Sequence, residues 1–463
     1  MEDTTTATIG AAAVAPNDDA ASIAVDEAPE FIDMADAVEV KVDEEDVPME
    51  EEDDVIVDGN ANNVAVADVM QQDTAAPAVP DMSRFQITSH TDSVYTIAAF
   101  LENGQLNILS GGGDDKAFQY KINTTTSDGL VAQQLPYPHT DTVSSVAFNL
   151  EYVNSSDPKK FPRLAAVGSY DGSIIIYDPD TATQRWKLEG PSDVEWLSFH
   201  PKGGSVLLAG SGDGTLWMFH VPLNRCLQVF VGHEQAVTAG AFSPDGKWAL
   251  SASTDGSLRI WAPKTGMNKH VFRLGEAGLT CMATKGGTDG MLVIAGSEDG
   301  QAHVCHIGNK KVVASMRHFD PPTNTMNSNN DDEDEEMEYP MSVEAVGFSP
   351  SQPNWCATGG VDGKLKIWDL SRNGQCRQVC VPPLIKGDDD DNGNNNNNSD
   401  DAAPDSITRL QWHSTVPLVF TASVSGAIRL WDARNGNLIH TVTGGAEQIN
   451  DMDVQFIPET GAA

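Results

Sequence analysis

One eleven-residue phrase, "SASTDGSLRIW" (251–261), constrains this chain more than any other feature, because it recurs. With Asp255 as origin, the same turn stands at Asp114, Asp171, Asp213, Asp299 and Asp362, with Ser425 in the seventh copy. Glycine follows at Gly172, Gly214, Gly256, Gly300, Gly363 and Gly426, and Asp115 takes its place in the first copy. Three positions before the turn the residue is small: Gly111, Gly168, Gly210, Ala252, Gly296, Gly359 and Ala422. Six positions after it stand Tyr120, Tyr177, Phe219, Trp261, Cys305, Trp368 and Trp431, all aromatic except Cys305. The steps between turns are 57, 42, 42, 44, 63 and 63 residues. A basic period of about 42 residues with loop insertions predicts an all-β fold, a β-propeller with four strands per blade.

Each column has a physical reason. Glycine accepts the positive φ that a tight turn between antiparallel strands demands. A small residue lets neighbouring blades approach closely. The aromatic residue buries a large area between them. Upstream of each turn lies a short run of alternating apolar residues, such as "TVSSVAF" (142–148) and "VEAVGFSP" (343–350), which is the period of a half-buried strand. A single four-stranded sheet cannot bury both its faces, whereas a ring of them can.

The charge is concentrated outside these repeats. The chain carries 28 bases and 68 acids, a net charge of −40. Residues 1–83 hold 23 acids and one base, residues 320–340 hold eight acids, and residues 387–405 hold seven, the last two without a base. These three stretches are expected to be disordered, since like charges repel and few apolar residues are available to pack. A propeller is expected over 84–463, and outside its two acidic inserts that region carries 30 acids and 27 bases and is nearly neutral. The acidity argues against direct binding to nucleic acid or to an anionic membrane and favours a basic protein partner. Scattered cysteines and an acidic N-terminus without a signal-peptide pattern predict an intracellular protein, cytoplasmic with the nucleus left open; a monomer is expected.

The stretch 232–261 resembles a WD repeat. In that family a histidine, a hydroxyl residue, the turn aspartate and the tryptophan form a buried hydrogen-bonded set. The resemblance implies such a set at His233, Asp255 and Trp261, with Ser251 or Ser253 as the hydroxyl. It implies partial sets at His90 with Asp114 and at His139 with Asp171. It extends to the turn residues Asp213, Asp299 and Asp362 and to Trp368 and Trp431, with no histidine expected in the other blades. The reading of this network is structural. The phrases at 110–120, 192–222 and 427–438 further resemble the angio-associated migratory cell protein family and its fungal relatives. That resemblance implies work in large ribosomal subunit assembly, as chaperone of an L-ten-type ribosomal protein whose basic N-terminal segment is held.

After the seventh repeat an eighth begins at 444–457, enough for one strand, and "FQIT" (85–88) could add an outer one. Two middle strands would then be absent: either the sequence stops short of a full blade or the last blade is rudimentary, in which case an open sheet edge would be a liability.

A carboxylate stands just before or within the first strand of each repeat: Asp92, Asp141, Asp193 with Glu195, Glu234, Glu276, Glu344, Asp405 and Glu447. Propeller geometry would gather them around one mouth of the channel, the face from which the two acidic inserts also leave. Such a rim would attract Lys/Arg-rich peptides, with Trp196 beside Glu195 as a further contact. The competing reading is that loop starts favour Asp and Glu for local capping. No phosphate-loop or nucleophile-elbow motif occurs, and neither Cys376/Cys380 nor His303/Cys305/His306 makes a four-ligand zinc pattern, so no catalysis, cofactor or metal is expected. Two other functions stay open: a ubiquitin-ligase adaptor using Arg434 of "IRLWDAR", and a histone chaperone or signalling scaffold linked to cell migration.

Overall fold

The computed structural model describes residues 87–124, 130–149, 163–202, 204–287, 291–319, 341–383, 404–443 and 448–455. The acidic stretches 1–83 and 320–340, residues 387–403 of the third, and Glu447 lie outside these. The described chain forms seven antiparallel sheets, each of four strands in sequence order, as the repeat predicts. Blade one runs from β1 (Val94–Glu102) to β4 (Leu130–Gln134) and blade two from β5 (Val143–Phe148) to β8 (Thr183–Leu188). Blade three spans β9 (Trp196–Phe199) to β12 (Arg225–Val231), and blade four β13 (Ala239–Phe242) to β16 (Asn268–Arg273). Blade five spans β17 (Leu279–Lys285) to β20 (Lys311–Arg317), and blade six β21 (Val343–Phe348) to β24 (Gln375–Cys380). Blade seven spans β25 (Ile407–Trp412) to β28 (Asn437–Thr443).

The turn columns behave as their chemistry requires. The six turn glycines have φ between 72° and 82°, and Asp115, which replaces one, sits at 61°. A side chain on Gly168 would come within 2.6 Å of Val194 in the next blade, and one on Gly359 within 2.6 Å of Ile407. The small residue before the turn is therefore the contact point between blades. Against it packs an apolar residue at the entrance to the next blade's first strand: Val143, Val194, Leu279, Val343 and Ile407, all buried. The aromatic column is buried too, and the cores lie between consecutive sheets rather than inside one. Cys305 and Cys380 belong to these cores, where burial pushes both thiols up to about 12.

Neighbouring blades are also stitched by hydroxyl groups. Thr238 Oγ1 donates to the Leu279 carbonyl at 2.6 Å, and Ser144 and Thr280 donate likewise to Val194 and Val343. Thr408 Oγ1 continues the series to Ile449 O at 2.7 Å. The Ile449 amide bonds Ser423 O, as Leu279 N bonds Ser253 O. Ile449 thus occupies the first-strand position of an eighth blade. From there the segment Gln448–Gln455 reaches blade one: Ile97 N donates to Asp451 Oδ2 at 2.8 Å and Ala99 N to Asp453 Oδ2 at 2.7 Å. The ring closes through this segment, although no regular strand is formed in it. Residues 87–88 are not strand either, and 85–86 lie outside the described residues, so the described part of "FQIT" adds no outer strand.

The buried polar sets are more complete than the sequence suggests. In blade four His233 bonds Asp255 (2.9 Å) and Ser251 (2.7 Å), and Trp261 Nε1 donates to Ser251 (2.8 Å), which settles the hydroxyl as Ser251. Blade one repeats this with His90, Asp114 and Ser110, and Tyr120 stands in for tryptophan at 3.5 Å. In blade two His139 lies 3.6 Å from Asp171 and bonds Ser173, but its Nε2 has no partner, because Val167 fills the hydroxyl position. The expectation that other blades lack the histidine is wrong for blade six. There His318 bonds Asp362 (3.1 Å) and Thr358 (2.7 Å), and Trp368 donates to Thr358 (2.8 Å). His318 lies 44 residues before its aspartate, against 22 for His233, because the acidic insert intervenes.

Two of these histidines, His139 and His233, set a pH dependence. Burial lowers the pKa of His139 and His233 below the usual value, with the neighbouring aspartates pulling only partly the other way. Burial alone would raise Asp255, but hydrogen bonds from Ser257 and His233 hold it at about 2. A histidine depressed in the folded state binds its proton more readily when unfolded, so its contribution to stability falls as pH drops below about 6.5. Thermal melts should therefore show Tm level from pH 8 to 7 and declining towards pH 5, with a shallower decline in His233→Gln. A Tm that rises on acidification would contradict this account.

Candidate functional site at the carboxylate rim

The turn of each blade lies against the loop that enters the next. A side chain on Gly172 would meet the carbonyls of Pro191 and Ser192, and one on Gly256 those of Gly275 and Ala277. First-strand entrances and Asp-Gly turns thus share one rim. The flanks of both acidic inserts are there too: Gly300 lies against Phe319 and Met341 O, and Gly363 against Asp405 O.

On that rim the structure separates the sequence candidates. Asp92, Asp141, Glu234 and Glu276 are exposed, and none forms an ion pair among the described residues. Among the described residues, the side-chain carboxylates of Asp92 and Asp141 each accept a bond only from the next backbone amide, at 2.7 Å. Glu195 and Glu344 are half-buried. Burial, then the charge of Asp193, raises the Glu195 pKa above its ordinary value, while the Tyr170 hydroxyl, donating at 3.4 Å, opposes the shift.

Three expected partner contacts have hydrogen-bond partners within the fold. Asp193 is engaged inside its own blade, accepting from Ser211 Oγ (2.6 Å) and Gly212 N (2.7 Å), a turn-capping role in a blade without the histidine. Asp405 accepts 2.6 Å from Arg429, whose side chain is only 3% exposed, and also bonds Ser425. Trp196 is buried between blades three and four, with Nε1 donating to Val237 O at 2.9 Å. Its place beside Glu195 in sequence misled, since adjacent strand residues point to opposite faces.

The structure adds two residues that the sequence reading missed. Tyr95 and Tyr170 are 46% and 40% exposed, in contrast to the buried aromatic column. Tyr95 and Asp92 flank Gly113, and Tyr170 bonds Glu195. The signal was available: both tyrosines stand out of phase with the buried residues of their repeat. Carboxylates interleaved with open aromatic faces suit a guanidinium or ammonium, which gains both charge attraction and ring contact. Arg434, the candidate ligase-docking residue, is exposed, and its guanidinium is held by Asp432 of its own blade at 2.9 and 2.7 Å.

Comparison with known proteins follows the same lines. The family model "WD domain, G-beta repeat" matches residues 224–262, 339–369 and 400–432. The chain is 33% identical to the dog angio-associated migratory cell protein and 32% identical to the human one, over 81% of this chain and 75% of each relative. Among solved structures it is similar to Saccharomyces cerevisiae Sqt1, with TM-score 0.62 and 17% identity over 81% of this chain and 92% of that one. It is also similar to Chaetomium thermophilum Sqt1 bound to the N-terminus of ribosomal protein L10, with TM-score 0.57 and 20% identity over 77% and 89%. The fold, the repeat network and the extent of the match together place this chain in the angio-associated migratory cell protein family of WD-repeat propellers.

Proposed function

We propose that this chain is a chaperone for a basic ribosomal protein of the L10 type in large-subunit assembly, gripping a Lys/Arg-rich segment on its carboxylate rim. The observation that carries this reading is the set of exposed rim carboxylates, Asp92, Asp141, Glu234 and Glu276, with half-buried Glu195 beside them. The likeness to a propeller bound to the L10 N-terminus supports it. A rim of exposed carboxylates, together with two acidic inserts, speeds capture of a cationic segment and competes with RNA for it. The site works by charge and shape, as a non-enzymatic scaffold, and the protein acts as a monomer in the cytosol, with the nucleus also open to it.

Pull-down from cytosol tests this directly. An L10-type protein should be enriched at low salt and depleted as salt rises, because exposed charges are screened over about 10 Å at 0.1 M. Recovery of core histones or a cullin-type ligase without any basic ribosomal protein would replace this reading with one of those functions.

A further inference from the structure

Opposite the carboxylate rim, each blade presents the loops that join its first strand to its second and its third to its fourth. Charge on that face is unevenly divided. Around blades one, two, six and seven the loop bases are matched by acids: Arg163 pairs with Glu102, Arg372 with Asp369 and Arg434 with Asp432. Across blades three to five the balance is lost. Lys202 and Arg225, then Lys247, Lys264 and Lys269, then Lys310 and Lys311 are all exposed. Against them stands one acid among the described loop residues, Asp245, which lies 3.6 Å from Lys247. The loops form one continuous strip: His200 Nε2 lies 3.0 Å from Gly246 O, and Lys310 Nζ donates to Lys269 O at 3.5 Å.

Apolar side chains interleave with these bases. Leu223 and Met267 stand in the turns, 60% and 58% exposed, and Val312 and Val313 follow Lys311 at 46% and 40%. Beside Val313 a cavity of about 260 Å³ is lined by Leu292, His306, Pro353 and Leu370. Its wall is braced by Lys285, whose Nζ donates to the carbonyls of Ser349 and Pro353 at 3.0 and 2.6 Å.

We propose that this strip docks an acidic segment of a partner protein, in which carboxylates alternate with large apolar side chains and one apolar side chain fills the cavity. Seven exposed cations against one acid set a local field that selects an anion, and lysine ammonium groups accept carboxylates without a fixed geometry. The interleaved apolar residues and the cavity favour a polypeptide over RNA, whose backbone offers phosphates but no aliphatic groups to bury. A buried apolar anchor surrounded by charged contacts is the usual division of labour in such an interface. The proposal is independent of the carboxylate rim, which lies on the other face and takes a segment of opposite charge.

The test uses the full chain and a labelled synthetic peptide that alternates glutamate with leucine, read by fluorescence anisotropy. The peptide should bind saturably, and polyglutamate of the same length should bind about tenfold more weakly or worse. Lys264→Glu/Lys311→Glu and Val313→Asp should each weaken the peptide by about tenfold or more, whereas Arg273→Glu, at the rim end of its strand, should not. Lys310→Gly spares the fold, since Lys310 sits at φ 53° where blades six and seven have Gly374 and Gly436. It should weaken the peptide with Tm no lower than the parent's. Binding of the L10 N-terminal segment should be unchanged in these strip variants, so the two readings fail separately. No saturable binding overturns the proposal, as does binding indifferent to the strip variants. Single-stranded RNA that binds more tightly and displaces the peptide also overturns it and assigns the strip to phosphates. Self-association that the strip variants abolish, by sedimentation, overturns it in favour of a second copy.

Discussion

Asp405→Ala is expected to destabilise the propeller by about 3–5 kcal/mol, the cost of leaving a buried guanidinium without its counter-charge. The Arg429 side chain is 3% exposed, donates to Asp405 at 2.6 Å and to Ser423 at 3.2 Å, and its Nε has no partner among the described residues. The pair takes the place of the histidine set in blade seven, where Trp431 still donates to Thr421 at 2.9 Å. Glu276→Ala, at an exposed position of the same rim, should change stability by no more than about 0.5 kcal/mol. Urea unfolding of both variants separates the two roles. Asp405→Ala/Arg429→Leu should recover most of the loss, because removing both charges is far less costly than removing one. If Asp405→Ala unfolds like the parent and instead loses partner binding, Asp405 belongs to the grip after all.

The triple reversal Asp92→Lys, Asp141→Lys, Glu234→Lys should leave Tm near the parent value and weaken binding to the L10 N-terminal segment by about a hundredfold at low salt. The three carboxylates are exposed and form no ion pair among the described residues, so folding does not depend on them. Opposing like charges across an encounter surface cost several kcal/mol and act mainly on the association rate. Stopped-flow association at two salt concentrations should show a fast, salt-sensitive rate for the parent and a slow one that salt accelerates for the variant. Equal rates for the two proteins would remove the rim from the mechanism and leave the propeller without its proposed grip.

Much of the molecule was legible in advance because repetition is a strong signal. Seven copies of a turn, a small residue and an aromatic residue at fixed offsets leave few architectures open, and each column does the work its chemistry suggests. Legibility failed where a fixed offset was broken. His318 was missed because the acidic insert doubles its distance to Asp362. Arg429 was missed because it replaces the histidine from a different strand of the blade.

The sequence by itself determined the blade count, the turns, the inter-blade cores and the acidic balance, because these follow from residue type and spacing along the chain. Only the tertiary structure decided which rim carboxylates face solvent and which, like Asp193 and Asp405, are engaged within their own blade. It alone showed Gln448–Gln455 closing the ring through the carboxylates of Asp451 and Asp453. The physical reason is that a carboxylate's role depends on which donors the fold brings within about 3 Å of it, and those donors lie many residues away in the chain.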